Sequence, residues 1–238
     1  MIKKIKKGGI ALAEKTYQNT TKTIYRIFLI LCCSIGLYIK TGLYIGQIKW
    51  YTLLYYTNWS NFFVLLLFLF LVIFPECNDA RKLLHMKGGI TMMIVLTAVI
   101  YHFLLKKEGF FIDALTTIEG FGSFLLHYAV PFITVLDWLL WDRKGVFSTK
   151  APLFWTIVPY IYFIFMIWIA SKGSFIPNQN TRYPYDFIAV DLLGWERVLT
   201  NVIALSACYI AVGYIYVWLD GCLENSRKPK RVKRYKKI

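Results

Sequence analysis

The sequence predicts an all-α, polytopic membrane protein: a bundle of six spanning helices with both termini on the cytoplasmic side. Three observations carry this. Hydrophobic residues make up 58% of the 238-residue chain and the mean hydropathy is +0.51, whereas a soluble domain of this size is under half apolar. The apolar residues fall into six runs close to the roughly 20 residues that a helix needs to cross a bilayer. Lysines and arginines collect at the two ends and in alternate gaps between the runs.

The first run extends from about Thr23 to Leu43, behind a basic arm of residues 1–22. It reads as a span rather than a cleaved leader, because a long polar stretch precedes it and no small-x-small cleavage site follows. Leu31 before Cys32 argues against a lipoprotein signal. The second run covers about Leu53 to Phe74, the third Gly89 to Leu105, and the fourth Gly120 to Trp141. The fifth covers about Leu153 to Ala170 and the sixth Val198 to Leu219, leaving a basic tail of residues 221–238. Residues 23–220 thus form one membrane domain. The arm, the second-to-third and fourth-to-fifth connections, and the tail are richest in Lys and Arg. By the positive-inside rule they face the cytoplasm, and the inner membrane is the expected location.

The net charge of +15 does not imply nucleic acid, since the basic residues are not spread over a folded polar face. The tail reads as a topology signal rather than a lipid-recruitment patch, because six spans already anchor the chain. The five cysteines lack C-x-x-C spacing, so neither a disulfide framework nor a zinc site is expected. The longest outer loop, about Ser171 to Arg197, contains the run RYPYDF from Arg182 to Phe187. Its prolines and aromatics suggest a structured cap at the interface, and Tyr183 and Tyr185 are candidate substrate contacts.

Polar groups inside spans are costly and need a reason to be there. Thr57 lies about one turn below the outer end of the second run, and His127 about two turns below the outer end of the fourth. At 1.5 Å rise per residue both sit roughly 5–10 Å into the outer leaflet. Matching depth on separate helices is what a shared site requires. Thr57 is a candidate nucleophile and His127 its base; the competing readings are a back-bonded hydroxyl and an interhelical packing contact. Pro131 removes the helical donor for the carbonyl four residues earlier, that of His127, and Pro159 does the same to Trp155. Asn61 shares the helical face of Thr57 and is a candidate to orient a substrate carbonyl or an oxyanion. Ser60 is a weaker candidate, and Ser123 a reserve nucleophile one turn from His127. His102 near the outer end of the third run suggests a second polar contact in the same layer. Two span histidines without local ligand partners do not suggest a metal or haem, and no cofactor is expected. Asp137 is about 15 Å deeper than His127 and reads as a structural acid near Arg143 and Lys144.

The runs YYTNWSNFFV (Tyr55 to Val64), VIYHFLL (Val99 to Leu105), LHYAVPFITVLDWLLW (Leu126 to Trp141) and RYPYDF, followed by Gly194 and Trp195, occur in this order. Together they resemble the bacterial six-span branch of the androgen-induced gene family, whose vertebrate members include the androgen-dependent TFPI-regulating protein. The resemblance covers about Leu53 to Asn201. It implies an intramembrane hydrolase of fatty acid esters of hydroxy fatty acids, using a threonine and a histidine that fall on Thr57 and His127. Where relatives often read YPYPFLD this chain reads YPYDFIA, so no role for a loop acid carries over to Asp186 or Asp191. Partners are then membrane lipids and a lipid ester substrate. The alternative is a non-catalytic lipid or small-molecule binding or transport protein on the same scaffold.

Overall fold

A computed structural model describes residues 2–106, 108, 110–173, 176, 177 and 180–227, and the side chains of these except 2–16, 110, 225 and 227. The basic tail beyond Arg227, Lys107, and the side chains of the arm lysines Lys3 to Lys15 lie outside the described residues. The described chain is helical, without strands. Its principal elements are α1 (Ile2–Lys40), α2 (Tyr56–Ile73), α3 (Arg81–Leu105), the short α4 (Phe110–Thr116), α5 (Ile118–Trp141), α6 (Ala151–Ser171) and α7 (Val190–Arg227). Six of these are long and apolar enough to cross a membrane. The lipid-facing side chains agree: Phe28, Leu31, Ile35, Phe132, Ile161, Ile164, Ile203 and Trp218 are exposed, far more apolar surface than water tolerates. The chain is a multi-pass membrane protein.

Several boundaries differ from expectation. α1 begins at Ile2 and runs through the basic arm. α3 begins at Arg81, a full two turns before Gly89, because its basic residue Lys87 is not a loop charge but is buried. α7 starts at Val190 and breaks at Gly194, whose φ of 73° is open to glycine and strained for other residues.

α1, α2, α3 and α5 pack around one core that includes Leu29, Cys33, Val64, Phe68, Ile94 and Val130. Glycines let α1 and α5 approach closely, as small residues do in membrane bundles. A Cβ at Gly36 would stand 2.6 Å from Leu126 Cδ2, and one at Gly122 would stand 2.7 Å from Ile39 Cγ2. α6 and α7 cover the other side of α3. The long loop between α6 and α7 folds as a cap: Tyr183, Tyr185, Ile188 and Ala189 pack with Tyr56, Met93, Tyr162 and Met166. Asp191 pins the cap, accepting from Thr181 Oγ1 at 2.6 Å and from the Arg182 N–H at 3.0 Å.

Toward the opposite end of the bundle, four buried charges meet. Arg26 Nε donates to Asp137 at 2.9 Å, and Lys87 donates to Asp137 and, at 2.6 Å, to Asp142. Arg26 Nη1 also donates to Asn78 at 2.6 Å. Both cations flank the Phe68 ring at 5.7 and 5.5 Å. Asp137 is structural as expected, but its partners are corrected: they come from α1 and α3, not from the neighbouring Arg143 and Lys144. Lys144 instead donates to the Trp138 carbonyl and lies over the Trp138 ring.

Candidate active site

Two helix irregularities position the site. α5 contains a π-helical turn at Leu125–Ala129, where the Val130 N–H donates to the Leu125 carbonyl five residues back. Such turns are frequent at functional sites. In this register Pro131 deprives the carbonyl of Leu126, rather than that of His127, of its donor. Asn61 Nδ2 supplies one at 3.2 Å. The expectation for Pro131 is therefore corrected by one residue, since the ladder at that point is i→i+5. Pro159 acts as expected: α6 is interrupted at Thr156, and the Tyr209 hydroxyl donates to the Trp155 carbonyl at 3.4 Å.

His127 sits inside that π turn, 4% exposed. Its Nε2 is 3.2 Å from the Thr57 hydroxyl, and its Nδ1 is 2.8 Å from the Ser123 carbonyl. A carbonyl oxygen only accepts, so Nδ1 carries the proton of the neutral ring. Nε2 then presents its lone pair to Thr57, whose hydroxyl donates. The Ser123 carbonyl thus orients the imidazole in the way a carboxylate does in a triad. The Tyr101 ring stacks on the imidazole at 3.7 Å with 17° between planes. Tyr101 belongs to a second π turn, Tyr101–Leu105.

Thr57 lies in the first turn of α2, where backbone N–H groups have no intrahelical acceptor and the helix dipole is positive. Its own N–H donates to the Tyr185 hydroxyl oxygen at 3.5 Å. That leaves the Tyr185 proton free to turn toward the cavity. Burial pushes the Tyr185 hydroxyl up to about 12, so it stays protonated through the neutral range.

Two cavities meet at Thr57. A polar one of about 570 Å³ is lined by Lys40, Lys49, Tyr101, Asp113, Glu119, Ser123, His127 and Tyr185 among others. An apolar one of about 100 Å³ is lined by residues that include Leu96, Tyr160, Phe163, Phe187 and Val202. Thr57, Leu105 and Tyr185 line both. A separate apolar groove of about 910 Å³, with Phe62, Phe63 and Leu65 of α2 in its wall, runs against α1. Asn58 borders this groove and the polar cavity.

Comparison with family models, with curated proteins and with solved structures finds no match to this chain. The site therefore rests on its geometry.

The other candidates fall in three places. Asn61 does not reach either cavity: it is fully buried and both amide hydrogens are used, on the carbonyls of Leu126 and, at 2.8 Å, Thr57. Ser60 is also buried away from the cavities, bonding to Thr97 Oγ1 at 2.7 Å and to the Thr57 carbonyl at 3.0 Å. These two hold the Thr57 carbonyl and line neither cavity. His102 is exposed and bonds to the Tyr128 hydroxyl at 3.0 Å; its neighbour Tyr101 takes the place in the site expected of it. Tyr183 is buried in the cap core, while Tyr185 reaches Thr57. Ser123 lines the polar cavity but serves His127 through its carbonyl. Sequence reasoning missed Tyr101, Lys40 and Lys49. The run VIYHFLL held Tyr101 beside His102, and only the π turn decides which of the two faces inward.

Proposed function

We propose that the protein is an intramembrane lipid ester hydrolase with Thr57 as nucleophile and His127 as general base. The carrying observation is the buried hydrogen bond from Thr57 to His127 Nε2, with the tautomer held by the Ser123 carbonyl. Thr57 Oγ1 attacks the ester carbonyl carbon as its proton passes to Nε2. The Tyr185 hydroxyl, its oxygen held by the Thr57 N–H, donates its proton to the oxyanion. The imidazolium, faced by the Ser123 carbonyl and the Tyr101 ring, returns its proton to the departing alkoxide. Water then attacks the acyl-threonine, giving its proton to Nε2, and the acid leaves as Oγ1 is reprotonated. The apolar cavity beside Thr57 suits the start of the substrate's alkyl chain, and the polar cavity suits water and the substrate's polar end.

The resemblance to the androgen-induced gene family supplies the substrate class, fatty acid esters of hydroxy fatty acids or related esters. The distribution of Lys and Arg supports an inner-membrane protein with both termini in the cytoplasm. A second reading, lipid binding without turnover, is favoured by one observation: a backbone carbonyl, rather than a carboxylate, stands behind His127. Purified protein in detergent, assayed on long-chain esters, separates the two. Hydrolysis that Thr57→Ala and His127→Ala each abolish supports the enzyme. Wild-type rates in both variants, or an intact bound lipid with no turnover, contradict it.

A further inference from the structure

We propose that Lys40 is the counter-ion for an anionic group on the lipid that occupies the polar cavity. The site then takes amphiphiles ending in a carboxylate or a phosphate. This deepens the reading above and rests on that cavity being a lipid site.

Lys40 ends α1 and lines the same cavity as Thr57 and His127. It is partly buried, and among the described residues its ammonium has neither an ion pair nor a hydrogen bond. A partly desolvated ammonium with no protein partner is less well satisfied than one in bulk water. Glu119 lies near enough to attract it, but no carboxylate among the described residues bonds to it. Glu119 is taken by Lys49 at 2.9 Å and by the Tyr44 hydroxyl at 3.3 Å. Hydrogen bonding to Glu119 holds Lys49 above the ordinary lysine range. Asp113 is exposed and screened by water.

The fold brings the two lysines to one rim. Gly42, at φ 79°, reverses the chain after α1, and the Lys49 N–H returns to donate to the Thr41 carbonyl at 2.8 Å. A Cβ at Gly42 would meet Lys49 Cγ at 3.0 Å, so glycine permits both the turn and the close return. The cavity rim thus holds one cation bonded to Glu119 and one, Lys40, that is not bonded to any carboxylate among the described residues.

The test is equilibrium binding to the full chain in nanodiscs, with Thr57→Ala as background so that no turnover intrudes. The probes are monohexadecyl succinate, its neutral methyl ester, and hexadecyl phosphate. Lys40→Gln is expected to weaken an anionic probe about tenfold, the size of one charge-assisted hydrogen bond in a partly buried site, and to leave the methyl ester within about twofold. Lys40→Arg should restore the anionic probe. The larger loss, on succinate or on phosphate, identifies the head group. Equal affinity of the succinate and its methyl ester before the Lys40 change, or an equal loss on all three probes, overturns the proposal. Because binding is read without catalysis, a Lys40-dependent preference in a protein that never cleaves monohexadecyl succinate retains this assignment and removes only the hydrolase.

Discussion

At the scale of single residues, the groups proposed to react are distinct from the groups that hold them. Thr57→Ala and His127→Ala should each lower kcat/KM by about a thousandfold, since each removes a partner in the same proton transfer. Ser123→Ala should stay within about twofold, because only its carbonyl meets His127. A large loss there would move the nucleophile to Ser123. Tyr185→Phe should cost about a hundredfold in kcat with little change in KM, as expected for a donor that acts on the developing oxyanion. Tyr185 titrates only near 12, so below that it remains a neutral donor. The pH–rate profile should show no alkaline loss between about pH 8 and 10 that depends on Tyr185. A limb that disappears in Tyr185→Phe would contradict its role. The pairing of Thr57 with His127 was legible in the sequence because depth along a helix follows from residue count. The inward turn of Tyr101 in place of His102 was not, since rotation about a helix axis shifts where an α register gives way to a π turn.

At the scale of elements, the π turn of α5 and the first turn of α2 form one device. Pro131 strips a donor from the Leu126 carbonyl, and Asn61 repairs the loss while also holding the Thr57 carbonyl. Asn61→Leu leaves two buried carbonyls without that amide, which should cost about 1–3 kcal/mol of stability. It should also slow catalysis by misplacing Thr57. Thermal unfolding in detergent and the steady-state rate check the two effects together; unchanged stability would show that the amide is not needed. The proline was visible in the sequence, but the identity of the deprived carbonyl was not. A helical ladder counts back four residues and a π turn counts back five.

At the scale of the whole molecule, the fold class and the six spans were legible because lipid demands long apolar runs. The charges were harder to read. Arg26 and Lys87 looked like topology signals, yet both are buried against Asp137, because partners drawn from three helices leave no mark in local sequence. Asp137→Asn would leave two cations poorly matched and should destabilise the bundle by about 3–5 kcal/mol, read as a lowered unfolding temperature. The same variant at wild-type stability would mean that the four charges are not coupled. The proposed function turns on a single reactive hydroxyl, and the mass of the intact protein after treatment with a fluorophosphonate tests it most directly. One adduct is expected, mapped to Thr57 by peptide fragmentation and lost in His127→Ala. Failure to label, or an adduct on Ser60 or Ser123 that survives in Thr57→Ala, would contradict it.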